Sequence, residues 1–479
     1  MIKKIQYVIL FFILVAGFVV RLYKIDNPVA DWHSWRQADT SAVTRNFFKY
    51  GVTIFAPRYD DFSDVSGNGL FNPKGYRFVE FPFFNLAHYL LAWSFPQKPL
   101  EYWGRMTSVL TTLVSAVFIF AIVKRHRDVQ TALLSSGLYL LLPYNIFFTR
   151  LILPDPMMVT LFLGCLNFFD IWFAKGKLMY LGLGLVFGAS SFLIKPMAGF
   201  FLIPILFQVF EKYRFSILKN YRFYLGLISI GLPFLLWRTW SHRHPEGIPS
   251  SFWLFNGNGI RFRPAFFRWI FGERLGKMIM GSWGLYPFLT GLLLSLKESA
   301  YFAFWFLGSL LYLTVFATGN IQHDYYQIPI IPSVVILISI GVNWLWRKES
   351  GFVFTWIKRA IVMLCLVFMV GFSWYDIKGD YQVNNWSIVH AGQAVDKLVP
   401  KDAVVVAPYM GDTAFLYQTN RPGFPMMVLP IKDLKDRFGA MYYVSVNYDD
   451  ETNAIMKKYI VLEKNLEFVI VKLEEPILL

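Results

Sequence analysis

The sequence predicts a polytopic α-helical membrane protein with about eleven transmembrane helices and a small outer C-terminal α/β domain. Three observations predict it. Of 479 residues, 56% are hydrophobic, 19% aromatic and only 16% charged, and the mean hydropathy is +0.44, far from an ordinary soluble composition. The apolar residues gather in runs long enough to cross a bilayer. Lys and Arg sit mostly at the ends of those runs, so the net charge of +15 orients helices and excludes a nucleic-acid-binding surface.

The first run follows Met1-Ile2-Lys3-Lys4 and continues into Arg21-Leu22-Tyr23-Lys24. No small-residue cleavage site follows it, so it is expected to be a retained first span near 5–23. Further spans are expected near 105–123, 131–149, 156–173, 178–194, 196–211, 222–239, 281–296, 299–317, 326–346 and 354–374. With the N-terminus cytoplasmic, the inner loops carry Lys3 and Lys4; Lys124, Arg125 and Arg127; Lys175 and Lys177; Lys212, Arg214, Lys219 and Arg222; Lys297; and Arg347, Lys348, Lys358 and Arg359. The short outer turns retain Arg150 and Lys195, and these two cations need another reason.

The division this implies is a transmembrane domain over 1–378, with an outer loop at 24–104, and an extracytoplasmic domain over 379–479. The apolar stretch 81–96 is expected to lie in the interface or re-enter, helped by Trp93 and Trp103. Beyond about 390 the pattern becomes soluble: β-type runs at 403–407, 442–446 and 468–471 alternate with helical stretches near 431–438 and 452–460. Cys165 and Cys365 both lie inside apolar runs, which excludes a disulfide scaffold and a thiolate zinc site.

Candidate chemistry begins in Asp31-Trp32-His33-Ser34-Trp35-Arg36-Gln37-Ala38-Asp39. Helical spacing stacks Arg36, Asp39 and Val43 on one face, so a carboxylate and a guanidinium can share a site; the alternative is a solvated interfacial helix. Arg150 and Asp155 flank Leu151-Ile152-Leu153-Pro154. They are either a structural pair or part of a site, and Asp155 can also serve as a helix cap. Lys195 precedes Pro196 and either snorkels or acts. His323 and Tyr325 open another helix, as an aromatic belt or as site residues. Asp39, Arg105, Arg150, Asp155, Lys195, His323 and Tyr325 all emerge on one expected membrane face, which is the main signal read from the residues.

Other features are weaker. Tyr59-Asp60-Asp61-Phe62-Ser63-Asp64 offers oxygen ligands for a divalent cation or is simply a solvated loop. Glu80 is a helix cap or a pocket acid. Arg261, Arg263, Arg268 and Arg274 suit lipid phosphates or an anionic acceptor. Asn385-Trp386-Ser387 matches the glycosylation triplet.

The order of first helix, acidic-aromatic outer loop, Arg105-Met106-Thr107-Ser108-Val109-Leu110, Arg150 to Asp155, Lys195-Pro196 and Tyr325-Tyr326-Gln327-Ile328-Pro329-Ile330-Ile331-Pro332 resembles family 39 glycosyltransferases. This GT-C class of membrane enzymes includes protein O-mannosyltransferases and lipid A aminoarabinose transferases. The resemblance covers most of residues 1–346, and the tail from Gly411-Asp412 to Gly423-Phe424 looks like the outer C-terminal domain of bacterial members. It implies a bacterial plasma membrane, a polyprenyl-phosphate sugar donor, an outer active site and a hydroxyl acceptor that is a lipid, a glycan or a protein. Where the family carries Asp-Glu, this sequence has Arg36-Gln37. Asp39 is then the candidate base, with Asp31 as its rival. Arg150, Lys195 and His323 are the cations for the phosphate leaving group, and Asp155 orients the acceptor or one of those cations. His33, Arg36, Gln37, Glu80, Arg105 and Tyr325 complete the expected substrate-binding set. Direct displacement inverts the sugar carbon. A transporter or flippase of a lipid-linked or anionic substrate is the competing class, but it should place ionisable residues at mid-membrane on broken helices. An envelope assembly protein that kept the fold without activity is a third.

Overall fold

The computed structural model describes residues 2–298, 300–347 and 352–475. These form two compact units. A helical unit comprises Met1–Ile25, Ser108–Trp237 and Ser251–Gly379, and a sheet-bearing unit comprises Asp26–Thr107, Arg238–Ser250 and Asp380–Leu479.

Every expected span coincides with helical structure: Ile2–Arg21, Leu100–His126, Val129–Leu141, Asp155–Lys175, Leu178–Ile194, Ile203–Tyr213, Tyr221–Ser241, Leu285–Glu298, Ala300–Val315, Ile331–Arg347 and Phe352–Ile377. Among the described residues, six helices are long and apolar enough by themselves to cross a membrane. Lys348, one of the expected inner cations, lies outside the described residues. Three spans are interrupted, the 326–346 run among them, which opens as a 3₁₀ turn over Asp324–Ile330 before the helix Ile331–Arg347. The 131–149 run breaks at Leu142 and resumes as Pro143–Phe148, because Pro143 has no N–H for the carbonyl of Tyr139; the Asn145 amide donates to that oxygen instead. The 196–211 run opens as a 3₁₀ turn over Pro196–Leu202 before becoming α-helical.

In the helical unit, Leu285–Glu298 and Ile331–Arg347 pack backbone to backbone. A Cβ at Gly291 would lie 1.8 Å from the Leu337 carbonyl oxygen, and one at Gly341 would lie 1.9 Å from that of Pro287, so only glycine permits the approach. Hydroxyl pairs join other helices, Ser115 with Thr160 and Ser309 with Ser333, each at 2.8 Å. Arg21, wholly buried, donates to the carbonyls of Gly17 and Leu140 at 2.8 Å and to the Thr149 hydroxyl at 3.1 Å.

The sheet-bearing unit contains a five-stranded mixed sheet in the order β2-β1-β3-β5-β4, with β1 Val404–Val406, β2 Gly423–Phe424, β3 Ala440–Ser445, β4 Ile460–Lys464 and β5 Val469–Lys472. β1 runs parallel to β2 and β3, while β5 is antiparallel to β3 and β4. Val406, Phe424, Leu434, Tyr443, Val469 and Val471 form its core. The acidic loop joins the sheet edge: Phe62 N–H donates to Gly423 at 2.8 Å and Gly423 N–H to Asp60 at 2.9 Å. The 81–96 stretch contains the 12-residue helix Phe83–Ser94, too short to cross a bilayer. Asn385, of the glycosylation triplet, is engaged structurally through its amide on the Tyr409 hydroxyl and its N–H on the Ala30 carbonyl.

Gly341→Val should therefore destabilise the helical unit by about 1–3 kcal/mol or more through overpacking, whereas Gly371→Ala, with nothing within 4 Å of the added carbon, should be neutral or slightly stabilising. Thermal unfolding in detergent distinguishes them; equal effects would mean that the glycine contact is not what holds the helices together.

Candidate active site

In the sheet-bearing unit, His33 adopts a left-handed conformation (φ 56°) and turns the chain into the helix Ser34–Tyr50. As the spacing predicts, Arg36, Asp39 and Val43 face one enclosed gap, which they line with Pro57, Arg77, Glu80, Pro82 and Asn85. The gap measures about 10 Å³, room for roughly one water molecule. Arg36 and Asp39 do not pair with each other. Arg36 pairs with Glu80, and Asp39 Oδ2 lies 2.5 Å from Arg77, whose guanidinium also stacks 4.7 Å above the Tyr59 ring. The Thr413 hydroxyl donates to Asp39 Oδ1 at 2.7 Å. Glu80 is thus a pocket acid, since Phe83–Ser94 has no side-chain cap.

Two further carboxylates feel Asp39. Burial, with the charge of Asp39 added, pushes Asp61 up to about 6 against the hydrogen bond from Ser63. Burial and the same charge push Asp412 up to about 6, although it caps the helix Thr413–Thr419 through Ala414 N–H at 2.7 Å. Arg77, Thr413, Asp61 and Asp412 were absent from the predicted site. Asp412 stands in the tail segment of the resemblance; Arg77 carries no local signal beyond lying three residues before Glu80.

The rival carboxylate Asp31 has a different setting. It accepts from Arg105 at 2.8 Å and from the Gln37 amide at 2.6 Å, all three being buried, and Arg105 also holds the carbonyl of Asn27. His33 stacks at a tilt on Trp32, with ring centres 5.0 Å apart. The acidic loop is consumed by protein contacts: Asp60 pairs with Arg45, Asp61 accepts Ser63 N–H at 2.8 Å, and Asp64 accepts the N–H groups of Gly67 and Gly69 at 2.9 and 2.6 Å. Among the described residues no His, Cys, Asp or Glu trio is arranged to hold a metal, so the divalent-cation alternative for this loop finds no such ligand set there.

In the helical unit, Asp155 and Lys195 form a buried bidentate pair, both oxygens 2.8 Å from Nζ, with Lys195 lying 5.5 Å from the centre of the Tyr326 ring. This replaces both the capping and the snorkelling readings. Asp155 makes no cap bond, and Lys195 is 6% exposed. Arg150 is directed elsewhere than to Asp155, donating to the carbonyls of Tyr23 and Lys24 at 2.6 and 2.9 Å. His323 meets Trp253 edge-on, with centres 5.5 Å apart, and Tyr325 is buried and stacked on Tyr326 at 4.8 Å. Of the aromatic-interleaved arginines, Arg261 holds the carbonyls of Thr314 and Val315 at 2.6 and 2.8 Å, and Arg274 lies 3.8 Å from Asp324. The predicted residues therefore gather into three clusters: Arg36, Asp39 and Glu80; Asp31, Gln37 and Arg105; and Asp155, Lys195 and the 323–326 aromatics.

Two outcomes follow. Folded protein retains protons on Asp61 and Asp412 up to about pH 6, whereas an unfolded Asp releases its proton near 3.9. Folding thus takes up protons in that window, and stability falls as pH rises through it. Asp61→Asn and Asp412→Asn should raise the unfolding temperature at pH 7 and flatten its slope between pH 4.5 and 6.5; an unchanged slope in both would contradict the buried-acid assignment. Separately, Glu80→Ala should cost about 3–5 kcal/mol by stranding the buried Arg36 charge, and Arg36→Met with Glu80→Leu should recover most of it; denaturant titration of both variants reads the difference.

The chain resembles known proteins at two levels. Residues 100–240 match the family model described as dolichyl-phosphate-mannose-protein mannosyltransferase. ArnT from Cupriavidus metallidurans bound to undecaprenyl phosphate superposes with a TM-score of 0.69 at 12% identity, covering 97% of both chains. The Archaeoglobus fulgidus oligosaccharyltransferase tethered to an acceptor peptide superposes with a TM-score of 0.57 at 9% identity, covering 91% of this chain and 69% of that one. A search of curated proteins found no match. The chain therefore has the GT-C fold, and residues 100–240 match that mannosyltransferase family model.

Proposed function

We propose that the protein transfers a sugar from a polyprenyl-phosphate carrier to a hydroxyl acceptor, a lipid, a glycan or a protein, on the outer face of a bacterial plasma membrane. The observation that carries this reading is the fold, shared over 97% of the chain with ArnT bound to undecaprenyl phosphate, together with the mannosyltransferase match over residues 100–240.

The chemistry is a single displacement. The acceptor oxygen forms a bond to the sugar's anomeric carbon as the bond from that carbon to the phosphate oxygen breaks; the phosphate leaves with the electron pair, the acceptor proton passes to a carboxylate, and configuration inverts. We assign the carboxylate to Asp39. Asp31 is held by both Arg105 and Gln37 and acts as a positioning residue for the start of the Ser34–Tyr50 helix. Asp39 shares its gap with Arg77 and Arg36, cations of the kind an anionic leaving group requires. Because the gap has room for little more than a water molecule, the donor phosphate enters by drawing Arg77 from Asp39. The same step delivers the cation and frees the base. In the helical unit, Lys195 held by Asp155 is assigned as a further anion partner, with His323 and Tyr325 beside Tyr326. Arg150, whose Nη1 donates to the backbone carbonyls of Tyr23 and Lys24, is assigned to architecture.

The test is transfer from radiolabelled polyprenyl-phosphate sugars to membrane-extract acceptors by purified full-length protein. Asp39→Asn should lose about 10²–10⁴-fold in kcat, the span of a general base. Arg77→Gln should chiefly raise the donor KM, and Asp31→Asn should lose stability more than kcat. Consumption of no donor by the wild type would overturn the transferase reading; normal kcat in Asp39→Asn would overturn the choice of base alone.

A further inference from the structure

A groove of about 720 Å³ in the helical unit takes no part in this chemistry. Its walls come from Asp155–Lys175, Leu178–Ile194, Ile203–Tyr213 and Tyr221–Ser241, and residues such as Phe169, Leu185, Leu206 and Leu227 make it apolar. Gly226 and Gly231 keep one wall open, with nothing within 4 Å of an added Cβ at either. The Tyr221–Ser241 helix that supplies this wall is only 6% buried over its most apolar window, so protein covers little of its surface.

The groove is mainly apolar, and Tyr213, Asn220 and Arg222 line its polar end, where Ile203–Tyr213 stops and Tyr221–Ser241 begins. The chain around that end is strongly basic. Lys175, Lys177, Lys212, Arg214, Lys219 and Arg222 are all exposed, and Glu211 is the one acidic residue in the sequence from Lys175 to Arg222. Lys212 lies over the rings of Phe173 and Tyr213, 5.6 and 5.4 Å from their centres, which holds its charge near the groove's end. Arg222 N–H is fixed by the Asn220 side chain at 3.0 Å.

We propose that this groove binds an anionic phospholipid, its acyl chain along the apolar walls and its phosphate among the basic residues at the polar end. A slot lined by hydrocarbon and ending in cations is complementary to a molecule with hydrocarbon at one end and net negative charge at the other. A zwitterionic headgroup brings its own cation to that end and gains less. The bound chain packs the wall between Leu178–Ile194 and Tyr221–Ser241, which the protein leaves unfilled.

The experiment uses the purified full-length protein in mild detergent, with lipid retention read by native mass spectrometry and stabilisation read by thermal unfolding. The probes are phosphatidylglycerol, phosphatidylcholine with the same chains, and undecaprenyl phosphate. Phosphatidylglycerol should be retained and should raise the unfolding temperature more than phosphatidylcholine. Lys212→Gln with Arg222→Gln, both at exposed positions, should unfold like wild type without lipid yet lose about tenfold in phosphatidylglycerol affinity. Gly226→Trp should weaken both phospholipids by filling the slot; if that variant does not fold, the charge variant decides. Equal retention of the two phospholipids, phosphatidylglycerol binding unchanged in the charge variant, or its displacement by undecaprenyl phosphate would each overturn the proposal.

Discussion

Burying charge where water cannot follow is the constraint on which this chain is built. Arg21, Arg105, Arg150 and Arg421 are wholly buried, and each is met by oxygens from segments far away in sequence. Arg21 reaches Leu140 and Thr149, Arg150 reaches Tyr23 and Lys24, Arg105 reaches Asn27 and Asp31, and Arg421 reaches Val399 and Pro400, both at 2.6 Å. A guanidinium offers five donors in a rigid fork, so one side chain can tie several carbonyls at once. Removing such a side chain frees carbonyls that have no solvent to turn to.

The ion pairs obey the same constraint with a different result. A buried pair seldom repays the loss of hydration, and apolar residues of equal volume are often as stable or more so. Arg36 with Glu80, Asp39 with Arg77 and Asp155 with Lys195 are therefore poor choices for stability alone. They do hold carboxylates and cations fixed and away from water, the condition in which such groups act most strongly on a substrate. The raised protonation ranges of Asp61 and Asp412 record the same loss of water first and the neighbouring charge of Asp39 second.

Much of this was legible along the chain, for reasons that can be named. Apolar runs and their basic ends located the helices, because burial in hydrocarbon and charge at its edges are local, repeated signals. The face shared by Arg36, Asp39 and Val43 followed from the helical period. Arg77, Thr413 and Tyr326 were missed as site residues because their relevance arises only from a neighbour: Thr413 lies 374 positions from Asp39, and no pattern near either residue announces the other. The pairing of Arg150 with Asp155 was suggested by their closeness in sequence, but the backbone carbonyls of Tyr23 and Lys24 took the guanidinium. Strands β2 and β4 were overlooked because β2 has two residues and β4 follows a helix with only Tyr459 between them.

The sequence by itself determined the class of molecule, the helices, the C-terminal α/β segment and the kinds of charged residue available for chemistry, since each depends on composition or short-range period. Only the tertiary structure decided which charge meets which. In a low-dielectric interior, the identity of a buried charge's partner sets whether it is a staple, a spectator or a reagent, and that partner comes from wherever the fold brings the chain back.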